Sequence, residues 1–153
     1  MTNTLHLQGQ TDVPIACDMS TARDTPDERI AEWRELFENA LLGRGRRADR
    51  VVLTFRADPG RREQLEDLAQ REHACCPFLD LRLEDVGEEL IWTTTNVLTG
   101  DDRAHIDAFL EALYALPDHA ASDMEGMLGQ LAEHGLDVVA SPADSKRFES
   151  SPK

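Results

Sequence analysis

The sequence predicts an α+β domain: a two-layer sandwich of helices packed on a small, mostly antiparallel sheet, with an extra C-terminal helix. Three observations support this. Apolar residues recur at helical spacing in three separate segments. Between them lie β-branched or strictly alternating stretches. Two of those stretches adjoin across "VGEE", a connection short enough only for an antiparallel hairpin.

Residues 1–12 are polar and aperiodic and are expected to form a flexible N-terminal arm. "VPIACDM", Val13 to Met19, reads as a short strand or an extended segment. Thr25 then caps a helix with Pro26 at its first position and acids in its first turn. Its apolar face is Ile30, Trp33, Phe37, Ala40 and Leu41, and Gly43 is the expected stop. "GRGRRADR" supplies Arg44, Arg46, Arg47 and Arg50 and reads as a solvated surface loop, with a phosphate-gripping loop as the alternative.

"RVVLTFRA" is a strand by composition. Asp58 and Pro59 are placed to cap and open a second helix, whose apolar face begins with Leu65, Leu68 and Ala69 and which Pro77 ends. In "FLDLRLED" Leu79, Leu81 and Leu83 alternate with Asp80, Arg82 and Glu84, and "LIWTTTN" returns as its hairpin partner. After "TGDD" a third helix carries Ile106, Phe109, Leu110 and Leu113 before Pro117, so the α+β domain spans 13–117. Residues 118–140 read as a helical appendix with a capping box, Ser122 with Glu125, and 141–153 as a disordered tail.

Composition narrows the function. The chain has 153 residues, and a formal charge of −14 argues against broad binding to nucleic acid or anionic lipid. No apolar run is long enough to span a bilayer, and the N-terminus lacks the basic start and apolar core of a secretion signal, so the expected location is cytoplasmic. In that compartment three cysteines are expected to stay reduced.

The segment that carries chemistry is "REHACCPFLD". Counting from Leu65, the helical stripe continues through Leu68 and Ala69 to Glu72, Cys75 and Cys76. Glu72 thus falls where the pattern wants an apolar side chain, one turn before both sulfurs. A carboxylate on a buried face needs a proton, an arginine or a metal to neutralise it. The thiols sit at the C-terminal end of the helix, where the dipole disfavours thiolate, so the backbone does not activate them. A soft cation would, because binding it deprotonates the thiol.

With Cys17, these residues offer three sulfurs and one oxygen, a donor set suited to zinc, copper, mercury, cadmium or a trivalent arsenical. Core packing by small buried thiols is the competing reading of the pair, and a vicinal Cys75–Cys76 disulfide a further one. His73 can join from the helix flank, with a surface histidine as the favoured reading; His105 near Asp101 and Asp102 offers a harder-ion site, though those acids are adequately explained as helix caps, and His6, His119 and His134 read as incidental.

"IACDMSTARDTPDERIAEWRELFENAL" followed by "VVLTFRADPGRREQLEDLAQREHACCPFLDLRL" resembles a group of small, mainly actinobacterial proteins with an N-terminal cysteine and an "ExxCCxF" element. Similar segments are appended to the C-termini of some MerR-type metal-responsive regulators. The resemblance covers about residues 13–98 and implies a role for Cys17, Glu72, Cys75 and Cys76 in heavy-metal handling or resistance. The chain has no helix-turn-helix, so a regulator's DNA function does not carry over.

Three readings follow. The first is a binder of a thiophilic ion through a Cys/Cys/Cys/Glu site. The second is a metal- or thiol-dependent enzyme acting on a small substrate, such as carbon–metal cleavage with Glu72 as proton donor, a division of labour similar to that of organomercurial lyases. The third is an interaction domain with an incidental cysteine pair. Expected partners are a metal ion or small molecule, with homodimerisation through the C-terminal helix as a further option.

Overall fold

A computed structural model describes residues 4–13, 17–98, 100–119 and 138–139. The element order is β1 (Thr4–Leu7), β2 (Cys17–Asp18), α1 (Pro26–Asn39), β3 (Leu41–Arg46), β4 (Arg50–Arg56), α2 (Arg61–Cys75), β5 (Leu79–Val86), β6 (Glu89–Asn96), α3 (Asp101–His119) and β7 (Val138–Val139). Five strands form one antiparallel sheet in the order β1-β5-β6-β4-β3, and β2 pairs with β7 in a parallel ribbon. The expected α+β sandwich is therefore present. The appendix helix at 122–135 and the tail lie outside the described residues.

Strand alternation creates the two faces. Leu79, Leu81 and Leu83 of β5, Leu90, Trp92 and Thr94 of β6, and Val51, Leu53 and Phe55 of β4 all point into the core. The buried hydroxyl of Thr94 accepts a hydrogen bond from Trp92 Nε1 at 3.0 Å, so neither polar group is stranded. On the opposite face, Thr93, Thr95, Val52 and Thr54 are half-buried. Helix α2 packs over β5 and β1, while α3 packs over β6, β4 and β3.

Helix α1 begins at the expected Thr25 cap, which closes into a capping box: Glu28 N–H donates to Thr25 Oγ1, and Thr25 N–H donates to Glu28 Oε1. Its buried face is Pro26, Arg29, Ile30, Trp33 and Leu36. The stripe is thus rotated from the expected one, with Leu36 fully buried and Phe37 only half-buried. Trp33 stacks on Phe37 with centroids 5.5 Å apart and meets Trp92 edge-on at 5.1 Å, tying α1 to the sheet.

Several expectations are corrected. The N-terminal arm is not free: Thr4–Leu7 pair with Leu81–Glu84, and His6 Nε2 lies 2.9 Å from the Asp80 carboxylate. Gln10 N–H donates to the Pro77 carbonyl at 2.8 Å, and an added Cβ at Gly9 would come within 2.9 Å of the Asp80 amide. Only glycine allows this approach.

Of the arginine-rich segment expected as a surface loop, Gly43–Arg46 belongs instead to the edge strand β3, and only residues 47–49 connect it to β4. It holds because its guanidiniums reach α3: Arg44 donates to the Tyr114 carbonyl and lies over its ring, and Arg46 pairs with Glu111. Helix α1 accordingly ends at Asn39, before Gly43. Helix α2 is capped by Gly60, at φ 80°, rather than by Asp58, because Asp58 turns back to pair with Arg56. Helix α3 runs through Pro117 instead of stopping before it.

Trp33 is 4% exposed and joins α1 to the sheet, whereas Leu42 is 52% exposed. Trp33→Ala should therefore cost about 3–5 kcal/mol in urea unfolding, and Leu42→Ala within about 0.5 kcal/mol of nothing.

Candidate metal centre

The site forms where the C-terminus of α2 meets the start of α1. The last turn of α2 closes with the Cys76 N–H donating to the Glu72 carbonyl at 2.8 Å, and Cys76 leaves helical geometry as the residue before Pro77. That departure brings two adjacent sulfurs to one place: Cys75 Sγ and Cys76 Sγ are 3.4 Å apart. Both residues are buried, at 5% and 2% exposure. A carboxylate oxygen of Glu72 and the two sulfurs all lie within 4.8 Å of one another, so this group can hold a metal ion.

The compensation for Glu72 is an arginine. Arg29, on the first turn of α1, is 5% exposed and donates through Nη1 to Glu72 Oε1 at 2.5 Å. Its other face is gripped by Asp24, with Nε to Oδ2 at 2.6 Å and Nη2 to Oδ1 at 2.8 Å. This fork-to-fork pairing suits a guanidinium and not a lysine. The same Arg29 Nη1 lies 3.9 Å from Cys75 Sγ.

Burial alone works against the Arg29 charge, but the hydrogen bond to Asp24 and the charge of Glu72 more than offset it, so its pKa is raised. Asp24 is held below the usual carboxylate range, chiefly by its hydrogen bond with Arg29. A second guanidinium extends the lattice: Arg71 reaches Asp24 at 2.9 Å, Glu32 at 2.9 Å and Asp67 at 2.8 Å. Arg23 also pairs with Asp67.

The sulfurs are in different chemical states. Cys75 is a free thiol, and Cys76 is disulfide-bonded. This corrects the expectation that all cysteines stay reduced. The Cys75 thiol faces the Glu72 backbone carbonyl at 3.4 Å, a donor geometry that suits S–H and not thiolate. Burial first, and then the Glu72 charge, push its pKa up to about 12, against the opposing pull of Arg29. A cleft of about 330 Å³ reaches Cys75 from solvent, walled by Asp67, Arg71 and Ala74 on α2 and by Asp18, Thr21 and Arg23 opposite.

Among the expected site residues, Glu72, Cys75 and Cys76 come together. Strand β2, which carries Cys17, lies against α2, but the Cys17 side chain lies outside the described parts of the structure. His73 does not join the site, because its Nε2 donates to the Gln8 carbonyl at 2.9 Å. Arg29 and Asp24 were not anticipated. Their signal was available: Arg29 stands one turn before Trp33 on the buried stripe of α1, an arginine misplaced just as Glu72 is on α2.

The chain matches no family model, no curated protein and no solved structure. Among the described residues, no helix is long and apolar enough to cross a membrane.

The shifted thiol makes two outcomes measurable. Cys75 should react with iodoacetamide at pH 8 at least about a hundredfold more slowly in the folded chain than in the urea-unfolded chain. Stability should also fall as pH rises from about 9.0 towards about 12, because the unfolded thiol ionises first and then binds fewer protons than the folded one. Alkylation at equal rates in both states would contradict the assignment.

Proposed function

We propose that the protein binds one thiophilic metal or metalloid ion at the junction of α1 and α2, through Cys75 and Cys76 with Glu72 beside them and Cys17 as a third sulfur. The convergence of Glu72 and the two sulfurs within 4.8 Å carries this reading. Two adjacent cysteines rarely aim at one point within a regular helix. Here the break at Cys76 removes that obstacle.

Charge supports it as well. The thiols become ligands only as thiolates, and a buried set of thiolates with a carboxylate outweighs a divalent ion. Arg29 supplies the balancing positive charge, pairing with Glu72 Oε1 at 2.5 Å. Sulfur donors in a poorly solvated site select zinc, cadmium, mercury or copper(I) over calcium or magnesium.

The same ion pair weighs against Glu72 as the proton donor of a carbon–metal cleavage, since its Oε1 is tied to Arg29 at 2.5 Å instead of facing a substrate. Binding is therefore the better supported role. A context of heavy-metal handling agrees with the resemblance of "EHACCPF" to the ExxCCxF group.

Protein purified without chelator and under reducing conditions should carry about one equivalent of soft metal by elemental analysis. Cys75→Ser or Cys76→Ser should each remove it, while Glu72→Gln should weaken retention by roughly 10–100-fold. Metal-free wild type that takes up no zinc at micromolar concentration would sink the proposal.

A further inference from the structure

The donor set of the proposed site exists in two chemical states, and only one can bind. A disulfide sulfur bears no charge and offers no anionic ligand. With Cys76 in a disulfide, the cluster is reduced to a neutral thiol at Cys75 and a carboxylate already held by Arg29. The chain contains three cysteines, and Cys75 is free, so the count leaves Cys17 as the partner of Cys76 within one chain. The β2 strand that carries Cys17 packs against α2, the helix that ends at the pair.

We infer that the metal site is redox-gated, closed by a Cys17–Cys76 disulfide and opened by two-electron reduction of that bond by a dithiol. This rests on the soft-ion reading of the same residues. One thiolate of the dithiol attacks a sulfur of the protein disulfide, the S–S bond breaks, and one cysteine leaves as thiolate and is protonated. The second thiol of the reductant then displaces the other cysteine, so the dithiol ends as a disulfide and the protein gains two thiols. A divalent ion then replaces the protons of the cysteine thiols, which are released to solvent.

Placement favours a gate over a permanent staple. Cys76 lies at the break of α2, beside Pro77, where one side chain can turn without unwinding a helix interior. The cleft against Cys75 gives a small reactant a way in, although both sulfurs are buried. Metal uptake would then report the thiol–disulfide poise of the compartment as well as the amount of metal.

The test uses the full-length protein, freed of metal, in an oxidised form and in a form reduced with dithiothreitol and desalted anaerobically. Thiols are titrated in denaturant, and Cd²⁺ uptake is read from thiolate-to-metal absorption. The expected result is one free thiol and no cadmium band in the oxidised form, against three thiols and about one Cd²⁺ per chain after reduction. Cys17→Ser should show two free thiols with or without reductant.

Equal cadmium uptake by both forms would overturn the gate while leaving the site standing, as would three free thiols in unreduced protein. A thiol count that rises from one to three with no cadmium bound by either form would overturn the soft-ion site and the gate together. A reducible disulfide that persists in Cys17→Ser would overturn the pairing.

Discussion

A guanidinium buried between two helices, with Asp24 on one side and Glu72 on the other, is the contact on which the geometry of the site depends. Arg29 is the first-turn residue of α1 and Glu72 the last-turn residue of α2, so their 2.5 Å contact fixes how the two helix ends meet. A buried ion pair is weak evidence of net stabilisation, because desolvation offsets most of the attraction. Breaking one is a different matter: a charge left alone in this position is costly. The pair therefore acts as a register lock. It sets where Cys75 and Cys76 stand, and it keeps a positive charge 3.9 Å from the first sulfur.

Much of this was legible in the sequence, and the losses have identifiable causes. Glu72 stood out because three leucine-like positions preceded it at helical spacing. Arg29 did not, because a stripe read from Ile30 onward starts one residue too late and takes Phe37 for the core position that Leu36 fills. The central hairpin was plain from alternation alone. The edge strands were not: β3 is built of glycine and arginine, poor strand formers, and owes its place to α3, with partners 65 and 70 residues away. β1 is four residues long and gains its order from pairing with β5. Such long-range stabilisation leaves no local trace.

The disulfide is the other fact that local reading missed. Helix position and dipole argue against activated thiols, and Cys75 does have a raised pKa, though burial and the Glu72 charge are what raise it. They cannot say which sulfurs meet, since that depends on the tertiary fold and not on the local sequence. Under the proposed gate, oxidation and metal binding compete for the same sulfur at Cys76, so thiol poise and metal supply would act on one site.

The most direct measurement is a double-mutant cycle on Arg29→Met and Glu72→Gln, read as unfolding free energy in urea on the fully reduced protein. If the two side chains form the lock described here, Arg29→Met leaves the Glu72 carboxylate without its guanidinium, Glu72→Gln leaves Arg29 with Asp24 alone, and the double change recovers part of the loss, with a coupling energy of about 1–3 kcal/mol. Additivity within about 0.5 kcal/mol would mean that the two residues do not depend on each other, and would contradict the account.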